Sequence, residues 1–414
     1  MQAVLAIPNR ETLELYGDPA EVLMQAVAGV PLLVRIVATA ARAGVESILL
    51  IWPEDVPFLE SSAALSAIEG VRLECLIATS SFDPRDGSNW QALASRLKEK
   101  FLWLPWNWVT HKRALMSLVT ARVRPVRWRE PVMLGRRAVL DRSRLRVSSW
   151  YSRDGVAIES PASVRAAERF LVANSGKPTD GFYSNLNRRL CRLFVRWLTH
   201  TPVTPNAITL TGLLVAIVAA IFFARGTYLS AVEGAVLFFV SGLIDDMDGM
   251  IARIEFRESV FGTWFEGFVD NITYLAVFAG IIAGLYRQYG AWALKYGIAL
   301  MLGCVLSIVV IALQRRLATR IDRPHEYAGN MNQLMDADSS NLISKVARQI
   351  HIFVKKAVLV HYLLIFTVLG GLPVFLWLAA IGSNLTWIGA LYFTRRFFRR
   401  AVPKPGRKDL PTAA

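Results

Sequence analysis

Six apolar runs, each close to the length that crosses a bilayer, dominate the second half of this 414-residue chain. They occupy residues 207–224, 230–249, 265–286, 291–313, 352–370 and 373–393. A transmembrane helix needs roughly 20 apolar residues, and it satisfies its own backbone hydrogen bonds. The runs therefore predict an all-α domain of six transmembrane helices over residues 206–400, followed by a basic tail at 401–414.

Positive charge, which amounts to +15 for the chain at neutral pH, is concentrated in alternate loops of this domain. Arginine and lysine cluster before the first run, between runs two and three, between runs four and five, and after the last run. Because such residues favour the cytosolic side, both termini are predicted to be cytosolic. We expect an integral protein of a bacterial-type inner or cell membrane, with membrane lipids as partners. No RNA- or DNA-binding signature occurs, so no nucleic-acid partner is expected.

Four carboxylates stand in this apolar region at spacings that pair them. Asp245 and Asp248 are three residues apart, and Glu266 and Asp270 are four apart, so each pair shares one face of a helix. Ionisable groups at membrane depth are costly and mark functional sites. Facing carboxylates would repel one another unless divalent cations neutralised them, and oxygen ligands suit Mg²⁺ or Mn²⁺. The neighbouring Asp246 lies off this face and is expected to reach water at the helix end.

Small residues and one arginine accompany the acids. Gly249 lies one turn beyond Asp245 and Ala252 one turn beyond Asp248, which leaves room beside the metals for a flat or bulky ligand. Arg253 adds a fixed cation, and guanidinium groups suit phosphate oxygens. Metals, an arginine and a small-residue pocket together indicate a phosphoryl-transfer site.

These residues form one pattern of fixed spacing. It reads Asp245-x-x-Asp248-Gly249-x-x-Ala252-Arg253, eight residues, Gly262, three residues, Glu266, three residues, Asp270. The pattern resembles the signature of the CDP-alcohol phosphatidyltransferases at every fixed position except one, because Glu266 stands where that family has aspartate. A longer carboxylate can still bind a metal, but Mg²⁺ demands near-ideal octahedral geometry. Reduced activity or an altered metal preference is therefore left open.

The resemblance implies a role for each residue. The first three acids, Asp245, Asp248 and Glu266, would be metal ligands, and Asp270 would be a ligand or the general base. Nucleotide binding is assigned to a second group, in which Gly249 and Ala252 line the cytidine pocket and Arg253 contacts the diphosphate. This second group consists of Asn206, Gly249, Ala252, Arg253 and Gly262.

Residues 161–205 are interpreted as a linker and an interfacial amphipathic helix, because arginines alternate there with large apolar residues. Thr204 or Asn206 then caps the first span, and Asn206 is equally well placed to contact nucleotide. The run from Gly176 to Phe182 and the Thr-Pro-Asn step before the first span resemble the di-myo-inositol-phosphate-phosphate synthase branch of the family.

Residues 1–160 alternate predicted strands with predicted helices, which is typical of an α/β fold with a parallel sheet. Strands are predicted at 2–7, 47–52, 71–78 and 101–104, and helices at 31–43, 61–68, 87–98 and 111–119. The segment from Val27 to Arg35 resembles the sugar-phosphate nucleotidyltransferases. Pro8-Asn9-Arg10-Glu11 replaces the Gly-rich phosphate loop of that family, and Pro105-Trp106 stands where its metal-binding aspartate is expected. We interpret this domain as a degenerate nucleotidyltransferase that docks on, stabilises or regulates the membrane domain.

The resemblance implies an integral-membrane CDP-alcohol phosphotransferase with its active site and N-terminal domain on the cytosolic side. Two ions, Mg²⁺ or Mn²⁺, would neutralise the diphosphate of a CDP-alcohol donor. Asp270 would accept a proton from an acceptor hydroxyl, and CMP would leave. The reaction would belong to phospholipid or polyol-phosphodiester biosynthesis. The donor is open between CDP-diacylglycerol and a CDP-polyol, and a homodimer is left open.

Three alternatives stand beside this interpretation. A catalytically impaired membrane scaffold of the same fold is favoured by Glu266 and by the eroded N-terminal domain. A transporter would use the buried acids for ions, but it would not require the accompanying glycine, alanine and arginine. An active N-terminal cytidylyltransferase is the third alternative.

Overall fold

The structure is a computed structural model that describes residues 1–57, 65, 68–79, 81–120, 128–141, 154–177, 180–318 and 356–400. The chain forms two compact units, each assembled from separate stretches of sequence. The first unit comprises Met1–Ser175, Arg192–Pro202 and Arg253–Phe256. The second unit comprises Gly176–Cys191, Val203–Ala252 and the chain from Arg257 onward.

The first unit is an α/β structure. Its strands are β1 (Gln2–Ala6), β2 (Ala26–Val27), β3 (Val30–Pro31), β4 (Ser47–Pro53), β5 (Arg72–Ala78), β6 (Lys100–Pro105), β7 (Trp108–Thr110), β8 (Val132–Gly135) and β9 (Gly155–Ala157). Its helices are α1 (Arg10–Glu14), α2 (Pro19–Met24), α3 (Leu32–Arg42), α4 (Gly87–Ala92), α5 (Lys112–Thr120), α6 (Arg136–Leu140) and α7 (Pro161–Ala173).

The main sheet has five strands in the order β5-β4-β1-β6-β8. The first four pair in parallel, with Val4 opposite Leu49 on one side and Trp103 on the other, and β8 pairs antiparallel to β6. Strands β1, β4 and β6 are almost continuously apolar, because helices and loops cover both faces of such a sheet. Two small antiparallel pairs, β2 with β3 and β7 with β9, complete the strand pairing of the described residues.

The predicted parallel sheet is confirmed, and all four predicted strands are present. The antiparallel edge strand β8 was not predicted, because four residues are too short to show a periodic pattern. The predicted helix at 87–98 is shorter and ends at Ala92. Most of the predicted helix at 61–68 lies outside the described residues.

The remaining helices are long and mostly apolar. They are α8 (Phe182–Leu198), α9 (Pro205–Ala224), α10 (Tyr228–Ile254), α11 (Val260–Tyr289), α12 (Ala291–Ala318), α13 (Lys356–Val368) and α14 (Leu372–Arg400). Helix α8 exposes several large apolar side chains, among them Leu193 and Trp197, as expected of a helix at a membrane surface.

Five helices, α9 to α12 and α14, are long and apolar enough to cross a membrane. By this measure of length and composition, the chain is an integral membrane protein. Helix α13, which corresponds to the fifth apolar run, has 13 residues and is shorter than a span requires. Residues 352–355 of that run lie outside the described part of the chain. The fifth predicted span, and with it the total of six, therefore stays a prediction.

Glycines allow α9 and α11 to approach closely. Gly280 and Gly284 form a Gly-x-x-x-Gly motif on α11, and a Cβ at these positions would overlap the carbonyl oxygens of Ala220 and Phe223 respectively. Small residues at this spacing let two membrane helices pack backbone against backbone. The motif therefore fixes the distance between α9 and α11.

Polar side chains join α12 to α14. Ser307 Oγ donates to the Ser383 carbonyl at 3.0 Å, and Asn384 Nδ2 donates to the Ala299 carbonyl at 2.9 Å. In an apolar surrounding these hydrogen bonds hold the two helices at a defined register. Helix α14 continues without a break through Ser383 and Asn384.

Replacing Gly284 with valine is expected to lower the melting temperature of the purified protein by several degrees, since overpacking costs about 1–3 kcal/mol. Gly389→Val is the matched control, because a Cβ at Gly389 meets nothing within 4 Å. Thermal unfolding of both variants in detergent is the measurement. Equal melting temperatures would show that this contact does not limit stability.

Candidate active site

The four predicted carboxylates lie on two neighbouring helices of the second unit. Helix α10 carries Asp245 and Asp248, and α11 carries Glu266 and Asp270. Asp248 is buried, with 4% of its surface exposed, whereas the other three are half-buried. The Asp248 carboxylate lies within electrostatic range of all three of the others. The structure therefore brings the four acids into one electrostatic neighbourhood.

The chemistry of this set fits a hard divalent cation, because all four residues offer carboxylate oxygens and the central one is buried. As the side chains are arranged, no three His, Cys, Asp or Glu residues in the described part of the chain are close enough together to enclose an ion. The carboxylates would have to turn toward one another to do so. The set is thus a candidate metal site whose donors suit Mg²⁺ or Mn²⁺.

A threonine from a third helix holds Asp248. The Thr209 hydroxyl on α9 donates a hydrogen bond to Asp248 Oδ2, and it also lies 3.1 Å from the Pro205 carbonyl oxygen. This bond orients the buried carboxylate and stabilises its charged form. Thr209 was not predicted as a site residue, because the hydroxyl of a threonine in an apolar helix usually bonds to the backbone of its own helix.

The predicted nucleotide-binding residues Asn206 and Gly262 are brought together. Asn206 lies in the first turn of α9 and Gly262 in the first turn of α11, and a Cβ at Gly262 would lie 3.5 Å from Asn206 Oδ1. The caps of these helices are other residues, since Thr204 accepts from Ala207 N and Ser259 accepts from Gly262 N. Asn206 is therefore not the cap of α9, and its amide is exposed at the start of the helix.

Gly249, Ala252 and Arg253 follow the acids along α10. Gly249 and Ala252 are half-buried. Arg253 belongs to the first unit, where its Nε donates to the carbonyl oxygen of the buried Ser175 at 2.5 Å. The side chain of this arginine is thus held by a residue that the sequence analysis did not single out.

Asp246 was expected to reach water, but protein covers most of it and 14% of its side chain is exposed. Its Oδ2 accepts a hydrogen bond from Asn187 Nδ2 at 2.9 Å, and its Oδ1 lies 3.9 Å from Arg188 Nε. Arg188 in turn forms an ion pair with Asp180. The expectation was wrong because α8 packs against this face of α10 and offers polar partners there.

The same network explains part of the run from Gly176 to Phe182. A Cβ at Gly176 would lie 3.0 Å from Arg188 Nη1, so a residue without a side chain is favoured at this position. Lys177 N donates to Asp180 Oδ2 at 2.5 Å and closes the turn. Pro178 and Thr179 lie outside the described residues.

In the first unit, the two eroded positions lie at the ends of adjacent strands. The order of the sheet reverses at β1, and ligands of open α/β sheets bind at the carboxyl ends of the strands at such a point. Asn9, after β1, caps α1 by accepting from Thr12 N. Trp106, after β6, packs edge-on against Tyr16 with ring centroids 5.5 Å apart. Asn9 and Trp106 thus take part in helix capping and in aromatic packing.

Comparison with known proteins agrees with the acid pattern. Residues 202–335 match the CDP-alcohol phosphatidyltransferase family. The predicted resemblance of the C-terminal region to this family is therefore confirmed.

Three relatives share part of their sequence with this chain. The chain is 30% identical over 116 residues to the bifunctional IPC transferase and DIPP synthase of Aquifex aeolicus, and 32% identical over 136 residues to the protein of the same name from Thermococcus kodakarensis. It is 42% identical over 101 residues to the archaetidylinositol phosphate synthase of Methanothermobacter thermautotrophicus. These stretches cover 28%, 32% and 24% of this chain, and 26%, 29% and 50% of the respective relatives.

Thr209→Val is expected to weaken metal binding at this site, because it removes the hydrogen bond that orients Asp248. The activity would then need a higher concentration of Mg²⁺ or Mn²⁺. Loss of a residue that orients a ligand typically costs about 10–100-fold in metal affinity or activity. The measurement is the Mg²⁺ or Mn²⁺ concentration that gives half-maximal activity. Thr211→Val is the control, since Thr211 bonds only the Ala207 carbonyl of its own helix among the described contacts. An unchanged metal requirement in Thr209→Val would contradict this role.

Proposed function

We propose that this protein is an integral-membrane CDP-alcohol phosphotransferase that transfers a phospho-alcohol or phosphatidyl group from a CDP-alcohol to a hydroxyl and releases CMP. The observation that carries the proposal is the buried Asp248, which lies among three further carboxylates in a region that matches the family. A cluster of that kind is costly in an apolar region unless it serves a charged ligand.

The roles of the acids are those that the resemblance to the family implies. Asp245, Asp248, Glu266 and Asp270 would hold two ions, Mg²⁺ or Mn²⁺, which supply neutralisation of the donor diphosphate when bound. Asp270 accepts the proton of the acceptor hydroxyl, and the hydroxyl oxygen forms a bond to the β-phosphorus. The bond from that phosphorus to the bridging oxygen breaks, and CMP leaves with the electron pair.

The remaining residues position the donor. Asn206 and Gly262 lie together at the starts of α9 and α11 and are assigned to the nucleotide, with Gly249 and Ala252 along its cytidine. Arg253 is assigned to the diphosphate, since a guanidinium group forms paired hydrogen bonds with phosphate oxygens. Thr209 orients Asp248 and is added to the predicted set.

A polyol phosphate is the substrate class that the comparisons favour. One relative is an archaetidylinositol phosphate synthase, and the other two are bifunctional IPC transferase and DIPP synthases by name. We infer that this chain uses a polyol phosphate as acceptor or as part of the donor. The proposed arrangement has six spans, with the active site and the first unit on the cytosolic side, and it leaves a homodimer open.

CMP release by the purified protein tests the reaction. CDP-diacylglycerol and CDP-inositol are offered in parallel with a panel of alcohols and polyol phosphates, in Mg²⁺ or Mn²⁺. We expect release with one donor and a loss of about 10²- to 10⁴-fold in Asp270→Asn, the range expected when a general base is removed. Glu233→Gln, an exposed acid on α10 outside the pattern, is the control and keeps full activity. No release from folded protein with any donor would contradict the proposal.

Glu266→Asp distinguishes an enzyme from an impaired membrane scaffold. The scaffold is the alternative favoured by Glu266, which stands where the family has aspartate. Aspartate restores the ligand of the family pattern, so an enzyme is expected to keep or gain CMP release and to change its ratio of Mg²⁺ to Mn²⁺ activity. A scaffold would release no CMP either as the natural chain or as the variant. Steady-state rates in each metal, with melting temperatures to verify folding, are the measurement.

A further inference from the structure

The segment from Val27 to Arg35 keeps its resemblance to nucleotidyltransferases, although the phosphate and metal positions of that family are replaced. It forms the hairpin β2–β3 and the start of α3. Both residues of the hairpin turn are left-handed, with φ of 48° at Ala28 and 79° at Gly29. That conformation is typical of a two-residue hairpin turn and favours glycine. The hairpin is thus a well-defined element whose contacts indicate a role.

The hairpin turn is tightly packed within the first unit. A Cβ at Gly29 would lie 2.5 Å from the Thr199 carbonyl oxygen and 3.4 Å from Glu255 Oε1. Ala28 N donates to Oε1 of the buried Glu168 at 3.4 Å. The turn therefore lies where α7, the end of α8 and the Arg253–Phe256 stretch of this unit meet.

Arg35 ties the hairpin to that stretch from inside. Only 1% of its surface is exposed. Its Nε and Nη2 donate to the Val27 carbonyl at 3.0 and 2.6 Å, and its Nη1 donates to the Ile254 carbonyl at 2.9 Å. Burial lowers the pKa of Arg35 to about 9, while the nearby carboxylates of Glu255 and Glu168 act to raise it. The guanidinium thus stays charged at neutral pH, and a buried charge of this kind requires all of its carbonyl partners.

Phe256 is held in an uncommon conformation by the same surroundings. Its φ is 60°, and a bulky residue in the left-handed region costs about 1–3 kcal/mol. The guanidinium groups of Arg35 and Arg42 lie 5.3 and 4.9 Å from the centre of its ring, and Arg42 Nη2 donates to its carbonyl oxygen at 3.0 Å. Two cations and a hydrogen bond therefore fix the residue that ends this stretch.

We propose that the nucleotidyltransferase-like part of the first unit acts as a clamp that fixes the Arg253–Phe256 stretch, with Arg35 and Arg42 as positioning residues for Arg253. The inference rests on the proposed function, in which Arg253 binds the donor diphosphate. The clamp acts at three points: Ser175 accepts from Arg253 itself, Arg35 binds the Ile254 carbonyl, and Arg42 binds the Phe256 carbonyl. The eroded domain thus supplies fixed geometry rather than chemistry.

Arg42→Ala and Phe256→Asn test the clamp without burying an unpaired charge. Asparagine tolerates a left-handed φ, so Phe256→Asn removes the ring while the backbone at this position can keep its conformation. Arg96→Ala is the matched control, because Arg96 is a partly exposed arginine of the same unit that pairs with Glu74. We expect kcat/KM for the donor to fall about 10- to 100-fold in both test variants, as misplacement of a substrate-binding group does, and to stay unchanged in the control.

A double-mutant cycle separates positioning from general destabilisation. Each change is combined with Arg253→Ala, and kcat/KM is measured for all variants that melt within a few degrees of the natural protein. If the clamp acts through Arg253, neither change lowers kcat/KM further in the Arg253→Ala background. Full activity in both single variants, or losses that add to that of Arg253→Ala, would overturn the proposal.

Hydrogen exchange gives a second readout that does not need turnover. In the natural protein Arg257 N bonds the Ala252 carbonyl at 2.9 Å, on either side of the clamped stretch. Peptides covering residues 250–258 are expected to exchange faster in Arg42→Ala and Phe256→Asn than in the natural chain or in Arg96→Ala. Unchanged exchange would refute the clamp even if no donor were turned over, whereas absent CMP release with faster exchange would refute only the proposed function.

Discussion

The main electrostatic constraint on the second unit is the repulsion between one buried carboxylate and the three acids near it. Asp248 lies among Asp245, Glu266 and Asp270 in an apolar setting, where the Coulomb energy of close charges is many times its value in water. A single hydrogen bond from Thr209 cannot offset that repulsion. Cations or protons between the acids would relieve it, which makes this set a candidate site for a divalent cation.

Helix α9 packs against both of the helices that carry the acids. It meets α11 through Gly280 and Gly284, where backbones pack directly, and it meets α10 where Ser241 Oγ donates to the Gly212 carbonyl at 2.8 Å. Glycine packing sets a distance that side-chain motion cannot change, because no flexible atoms lie between the helices. The separation of the two carboxylate pairs thus depends on the contacts that both acid-bearing helices make with α9.

Much of this could be predicted from local sequence, and the rest depends on contacts between distant residues. The acid spacing, the apolar runs and the alternating strands each repeat with a short period, so the carboxylate pairs, the long helices and the parallel sheet could be predicted. Thr209, Ser175 and Asn187 could not, because their roles arise from partners 39, 78 and 59 residues away. Asp246 was misjudged for the same reason, since a helical pattern gives the face of a residue but not the element that covers it.

The first unit is completed by a stretch that is synthesised late. Arg35 leaves the ribosome more than 200 residues before Ile254, whose carbonyl it binds, and α9 and most of α10 are made in between. Until then the guanidinium lacks one of its acceptors, and closing so long a loop is slow compared with local pairing. The sheet can form early, but the final packing around Arg35 must wait until two apolar helices have been made. A fragment that ends at residue 160 would lack Ile254, Glu168 and Thr199 together, so its failure to fold would say nothing about its ancestry.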